Sequence, residues 1–224
     1  MKRLPIEGFP QPDNSQGLPF CFAEKLLVGS MNTCSPTLIL ASASPRRKEL
    51  LGQLGISFRA MTADVVEHED PTTDPRKMVS HNAALKADWI AARYPEAYVL
   101  GADTTVFIDG IALNKPANGQ EARAMLRQLS GLTHTVFTGL ALRHNASDLR
   151  IDDGVASQVM FKELNDEVIE TYLSKVHTLD KAGGYAIQEE GDLIIERQEG
   201  SLSNIIGLPL DETKQILTRA GLLP

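Results

Sequence analysis

Tyr98-Val99-Leu100-Gly101-Ala102-Asp103-Thr104-Thr105-Val106-Phe107-Ile108-Asp109-Gly110-Ile111-Ala112-Leu113 carries the signal that decides the fold. Two apolar runs flank Asp109-Gly110, and Asp-Gly between such runs marks a tight hairpin because both turn positions need positive φ. The first run reads as a central strand, and Asp103 inside it is an anomaly: aspartate is depleted in strands. An unpaired carboxylate buried there costs several kcal/mol, so a lysine, a metal ion or the strand's open end must relieve it. A structural ion pair and a catalytic carboxylate both meet that requirement. With Ile108 opposite Ile111, counting back sets Thr104 opposite Lys115, which makes Lys115 the candidate partner, although alternation turns Asp103 to the other face. An edge lysine that discourages aggregation is the plain alternative.

Outward from this hairpin, strands alternate with helices, the pattern of an α/β domain. Leu38–Ala41 reads as a short buried strand entering a helix at 44–54, and Phe58–Thr62 as a second strand. An acidic loop, Asp64–Asp74, follows. A helix over Pro75–Arg93 places Met78, Leu85 and Trp89 on its apolar stripe with Val79 and Ile90 beside it. Beyond the hairpin come a helix at 118–130, strands at 133–143 and 155–161 separated by polar residues, a helix at 165–176, a glycine-rich segment at 182–191, a strand at 192–197 and a last helix at 211–220. Residues 1–36 carry five prolines and little apolar sequence. They read as a low-order extension ahead of a single domain at 37–224.

The 224 residues carry a net charge of −7, which speaks against a nucleic-acid or anionic-membrane surface. No apolar run approaches the roughly 18 residues that a bilayer needs. Only Cys21 and Cys34 are present, so neither a disulfide framework nor a four-cysteine zinc site can be drawn, and a cytoplasmic location is expected. There is no GxxxxGK[ST], GxGxxG, GxSxG or HExxH motif, which removes the mechanisms those signatures carry. Phosphoanhydride hydrolysis by carboxylates and a metal remains open.

Three further stretches bear on that chemistry. In Ser42-Ala43-Ser44-Pro45-Arg46-Arg47-Lys48, Ser44 reads as an N-cap and Pro45 as the first helical residue. The three cations that follow oppose the helix dipole by about 0.3–1 kcal/mol each, and a bound phosphate would reverse that penalty. A solvated basic turn is the alternative. Lys86 lies on or beside the apolar stripe of its helix, where snorkelling is the common explanation. Asp180-Lys181-Ala182-Gly183-Gly184-Tyr185-Ala186-Ile187-Gln188 joins two glycines, which permit close backbone approach to a ligand, to an amide that donates and accepts together. The acidic loop could offer oxygen ligands to a hard cation or could be a solvated turn.

Taken in order, these motifs, with Asn114-Lys115-Pro116, Leu129-Ser130-Gly131 and Gly207-Leu208-Pro209, resemble the Maf family of nucleoside triphosphate pyrophosphatases, from about Leu38 to Leu217. The resemblance implies an α/β fold of the ITPase-like kind, with a mixed sheet and flanking helices in two lobes around a deep cleft. It implies hydrolysis of a nucleoside triphosphate to the monophosphate and pyrophosphate with a divalent cation, Mg²⁺ or Mn²⁺, by an enzyme that is often a homodimer. By position it implies catalytic and metal-holding carboxylates at Asp103 and Glu67, the latter in Asp64-Val65-Val66-Glu67. It further implies substrate contacts at Ser44, Arg46, Arg47, Lys86, Thr104, Lys115, Lys181 and Gln188. Arg46, Thr104 and Gln188 match the dTTP/UTP-selective branch. Asn114 stands where the family has glycine, and Gly184 and Ala186 depart from its Ala-Gly-Ala-Tyr-Gly-Ile-Gln. A regulatory nucleotide-binding module linked to cell division, with little turnover, is the competing reading, and modified pyrimidine nucleotides are a second possible target.

Overall fold

The computed structural model describes residues 37–70 and 73–224, so the reading of 1–36 as a low-order extension lies outside the described residues. In chain order the elements are β1 (Leu38–Ala41), α1 (Pro45–Gly52), β2 (Phe58–Met61), α2 (Pro75–Ala91), β3 (Tyr98–Ile108), β4 (Ile111–Leu113) and α3 (Gly119–Leu129). They continue with β5 (Thr133–His144), β6 (Leu149–Phe161), α4 (Asp166–Lys175), α5 (Gly191–Ile194), β7 (Ile195–Glu199), α6 (Leu202–Ile206) and α7 (Leu210–Arg219). One mixed sheet runs in the order β2-β1-β3-β5-β6-β7, with β4 also on β3. This is the α/β class with flanking helices that the alternation predicts.

The pairing of β3 explains the cleft. Its one edge is continuous with β5 from Val99 to Phe107. On the other edge, parallel β1 stops at the Ala41–Gly101 pair, and antiparallel β4 begins only at Val106–Leu113. Residues 102–105 therefore have no strand beside them on that edge, and the sheet opens there. The opening lies outside the carboxyl ends of β1 and β2, where open α/β sheets place ligands. Separate apolar cores back the two sides. Leu38, Leu40, Leu100 and Leu142 pack with Leu51 and Ile216 on one side, and Leu126, Val136, Phe161 and Tyr172 pack together on the other.

Helix α2 lies against β3 and β5 at unusually short range. A Cβ on Gly101 would meet the Ala83 carbonyl oxygen at 2.2 Å, and one on Gly139 would meet the Ser80 Cα at 2.8 Å. This closeness corrects the predicted stripe. Leu85 and Trp89 are only partly buried, while Val79, Ala83, Ala87 and Ile90 form the contact line, because only small side chains fit above the glycines.

Three other expectations change. Asp109 and Gly110 both have positive φ, as the hairpin requires, but its ladder ends at Leu113, so Lys115 does not pair with Thr104. Thr104 faces Thr138 of β5 instead. The polar stretch before residue 155 is not a separator: β6 begins at Leu149 and pairs continuously with β5, because Arg143–Asp152 (2.7 Å) and Arg150–Asp88 (2.7 Å) ion pairs satisfy its charges. Residues 191–194 form a helical turn rather than the start of a strand, which carries Ile194 into the core before β7 starts at Ile195.

His134 on β5 is buried, with Nε2 2.8 Å from the Tyr185 hydroxyl and Nδ1 without a partner. Burial pushes its pKa down from 6.5 to about 4. The unfolded chain therefore binds this proton more readily than the folded one, and the contribution to stability is full above pH 6.5 and lost as the pH falls toward 4. The drop corresponds to roughly 3 kcal/mol. Urea unfolding at pH 4.5 and 7.5 should show a smaller loss of stability on acidification for His134→Gln than for the unaltered chain; equal losses would contradict this.

Candidate active site

Asp103 finds its partner on α2, not on the hairpin. Lys86 Nζ lies 2.8 Å from Asp103 Oδ1 and 2.7 Å from Glu67 Oε2, so one ammonium bridges both carboxylates. The reason is alternation: Asp103 follows Gly101 on the face that α2 covers, and the close approach over Gly101 brings the Lys86 stem within reach. Lys86 is 11% and Asp103 15% exposed, so neither is a snorkelling surface charge.

Asn82, one helical turn before Lys86, completes the cluster. It is buried, donates from Nδ2 to Asp103 Oδ2 (3.2 Å) and to the His68 carbonyl (3.0 Å), and accepts the His68 amide at Oδ1 (2.8 Å). Asn82 thereby fastens the acidic loop, and with it Glu67, to α2 and Asp103. The sequence reading missed this residue. The available signal is an amide four residues before a lysine on the stripe that includes Met78 and Val79.

On the other face of β3, Thr104 meets α1. Ser44 caps α1 by accepting the Arg47 amide at 3.4 Å, and Pro45 fills the first position as expected. The three consecutive cations take different paths. Lys48 is exposed. Arg46 reaches Asp180 at 3.2 Å. Arg47 turns into the cleft, donating to Thr104 Oγ1 (2.9 Å) and the Gly207 carbonyl (2.8 Å). Desolvation by burial lowers the Arg47 pKa, the Asp103 and Glu67 carboxylates oppose that, and Arg46 adds to it. Arginine keeps its proton regardless, so an incoming anion would relieve a cation taken partly out of water.

The cleft has two joined compartments. One, of about 360 Å³, is lined by Ser44, Arg47, Glu67, Lys86 and Asp103. The other is lined by Arg46, Val106, Val136, Tyr185, Ile187 and Gln188. Thr104, Lys115, Asp180 and Ile206 border both. Lys115 and Gln188 are exposed side chains without hydrogen bonds among the described residues. Lys181 differs from them: it is 6% exposed, with its ammonium on Asp180 Oδ1 (2.8 Å), Glu189 Oε1 (3.4 Å) and the His177 carbonyl. It holds the loop and Asp180.

Gly183 and Gly184 both have φ of +70°, and a Cβ on Gly183 would press on Val106 at 3.0 Å. At Gly183 the backbone makes a close approach to β3. The Gly183 amide donates to the Asn114 carbonyl (3.3 Å), tying the segment to Asn114-Lys115-Pro116. Tyr172 accepts the Ala186 amide (3.0 Å) and donates to the Ala186 carbonyl (3.2 Å), and burial raises its pKa to about 12. Together with the His134–Tyr185 contact, these bonds fix the backbone that carries Gln188.

Glu67 and Asp103 are hard oxygen donors, a set that suits Mg²⁺ or Mn²⁺ with substrate phosphate and water as the other ligands. Among the described residues no group of three or more His, Cys, Asp or Glu side chains could hold a metal.

A sheet opened beside its central strand, with cations and paired carboxylates in the opening, defines an α/β protein built to hold a polyanion. The chain belongs to the Maf family: the family described as Maf-like protein matches residues 37–220. Among its relatives are proteins named dTTP/UTP pyrophosphatase. That of Akkermansia muciniphila is 42% identical over 186 residues, covering 83% of this chain and 97% of the relative. That of Anaeromyxobacter dehalogenans strain 2CP-C is 46% identical over 189 residues, covering 84% and 95%. That of Myxococcus xanthus is 44% identical over 192 residues, covering 86% and 96%.

Replacing Asn82 by alanine should leave the His68 amide and carbonyl and one Asp103 oxygen unpaired, at a cost of about 2–3 kcal/mol. Urea unfolding would measure that loss, and hydrogen exchange should speed up at the His68 amide. A variant within 0.5 kcal/mol of the unaltered chain, with the same exchange, would remove Asn82 from this role.

Proposed function

We propose that this protein hydrolyses dTTP and UTP to the nucleoside monophosphate and pyrophosphate, with residues 37–224 as the catalytic domain. The observation that carries the proposal is the Glu67–Lys86–Asp103 cluster, set in a cation-lined cleft beside a compartment that ends in Gln188. The names of its relatives agree with it.

Phosphoryl chemistry asks the protein chiefly for position and charge neutralisation. Arg47, Lys86 and Lys115 supply cations along the triphosphate, and the first turn of α1 presents Ser44 and backbone N–H groups to it. Asp103, held as an acceptor by Lys86 and Asn82, orients a water and takes its proton. The water oxygen bonds to the α-phosphorus, the α–β bridging bond breaks, and pyrophosphate departs with that electron pair. Five lining cations, Arg46, Arg47, Lys86, Lys115 and Lys181, face three carboxylates, Glu67, Asp103 and Asp180. That surplus falls short of the roughly four negative charges of a triphosphate. Glu67 and Asp103 would hold a divalent cation, which would supply the balance and lower the charge repelling the incoming water.

At the other end, the Gln188 amide can donate to a carbonyl and accept from N3–H of uracil or thymine, an edge that purines do not present in that place. Arg46 and Thr104 flank the same compartment. The reading includes a homodimer in the cytoplasm, supported by the family resemblance. The paired catalytic carboxylates argue against a module without turnover.

Two outcomes follow from this reading. Asp103→Asn should lower pyrophosphate release by roughly 10²–10⁴-fold while retaining nucleotide binding; near-normal release from the folded variant would end the assignment. In a nucleotide panel compared by kcat/KM with Mg²⁺, dTTP and UTP should exceed ATP and GTP, and Gln188→Ala should narrow the gap. A preference for purines would refute the pyrimidine reading.

A further inference from the structure

Asp180 is the carboxylate that the proposed reaction leaves unused, and its position is specific. It borders both compartments of the cleft, as do Thr104, Lys115 and Ile206. Its two oxygens are held from opposite sides: Arg46 Nη1 of α1 lies 3.2 Å from Oδ2, and Lys181 Nζ lies 2.8 Å from Oδ1. Lys181 is itself pinned by Glu189 and the His177 carbonyl. The carboxylate is about half exposed, so lone pairs of both oxygens remain open to the cleft.

A nucleotide that places its phosphates among Arg47, Lys86 and Lys115 and its base beside Gln188 must lay its sugar across this junction. Of the four junction residues, Lys115 is a cation suited to phosphate and Ile206 is apolar. The Thr104 hydroxyl is already shared with Thr138, Arg47 and the Gly207 carbonyl. Asp180 is the group left to accept from a hydroxyl, and two cations hold it ionised without inviting a phosphate. An acidic side chain on a sugar hydroxyl is also the solution that dinucleotide-binding folds reach independently.

We infer that Asp180 reads the sugar of the substrate by accepting a hydrogen bond from its 3′-hydroxyl, the one secondary hydroxyl that dTTP and UTP share. Asp180 is thus a specificity residue rather than a catalytic one. The inference rests on the pyrimidine triphosphatase reading above, and its test separates the two.

The full-length chain and its Asp180→Ala and Asp180→Asn variants would be assayed for kcat/KM on dTTP and on 2′,3′-dideoxy-TTP, with nucleotide-induced Tm shifts measured in parallel. For the unaltered chain, loss of the 3′-hydroxyl should cost roughly ten-fold, the weight of a hydrogen bond to a charged acceptor in a half-exposed place. In Asp180→Ala the dTTP rate should fall by a similar factor and the dideoxy rate should barely move, so the preference disappears. Asp180→Asn, which keeps an acceptor oxygen and the side-chain shape, should retain part of it. An equal response of the unaltered chain to both nucleotides, or a preference that survives in Asp180→Ala, would overturn the inference. If dTTP is not hydrolysed at all, the enzymatic reading fails. The Tm shifts still decide the contact: they support it where dTTP outranks the dideoxy nucleotide only when Asp180 is present, and reject it otherwise.

Discussion

The bridge from Lys86 to Glu67 and Asp103 is the interaction on which the site depends. Two carboxylates so near each other repel, and they need a cation between them to offset that repulsion. Lys86 meets that need, but only because its helix is held close to the sheet. Gly101 and Gly139 leave no Cβ beneath α2, and Ala83 and Ala87 present none large enough to push it away. The alanine contact line is therefore part of the chemistry. A larger residue at position 101 would collide with the Ala83 carbonyl and press α2 away from β3, lengthening the Lys86–Asp103 pair. Breaking such a pair costs about 3–5 kcal/mol where it is buried, more than any local gain in packing could return.

Asp103 and Thr104 serve opposite faces of the sheet yet line one cleft. In a continuous sheet, alternation would keep neighbouring side chains apart. Here β1 pairs with β3 only as far as Gly101 and β4 pairs with it only from Val106, so the strand edge between them is open and both faces are reachable from it. The acid, its lysine and the acidic loop come from the α2 side, while Arg47 and the α1 turn come from the other. The apolar cores on either side of the opening are separate, which lets the polar gap exist without emptying a shared core.

Much of this was legible in the sequence, and the reasons differ by residue. Asp103 stood out because its environment was wrong for it, and Asp109-Gly110 because its turn needs positive φ; both are local rules, and both hold in the structure. Ser44 and Pro45 likewise announced α1. What failed were inferences across space. Lys115 was set opposite Thr104 by extending a hairpin register, but the register ends two residues earlier, and a ladder's length depends on what competes for the edge. Lys86 was placed on or beside the apolar stripe, where snorkelling is the common explanation, because no local rule shows how close α2 comes to β3. The true line runs through alanines, whose burial is fixed by glycines on another element. Asn82 was silent because one amide in a helix carries no sign of what it will bond.

The two ends of the cleft are held by different forces, and this bears on how each can act. Under the proposed function, ion pairs and the hydrogen bonds of Asn82 order the phosphate end, and those partners can be shared with or exchanged for a ligand's charges. At the base end, Gln188 hangs from a backbone locked by Tyr172 on Ala186 and by His134 on Tyr185, both groups taken out of water. Discrimination between bases needs a fixed donor and acceptor, because a mobile amide would adapt to either edge and its preference would fade. Charge neutralisation tolerates adjustment, since its reward falls off gradually with distance. In the proposed function, the buried tyrosine–histidine frame thus stands under the amide that reads the base, and the exchangeable charges stand where the reaction moves charge.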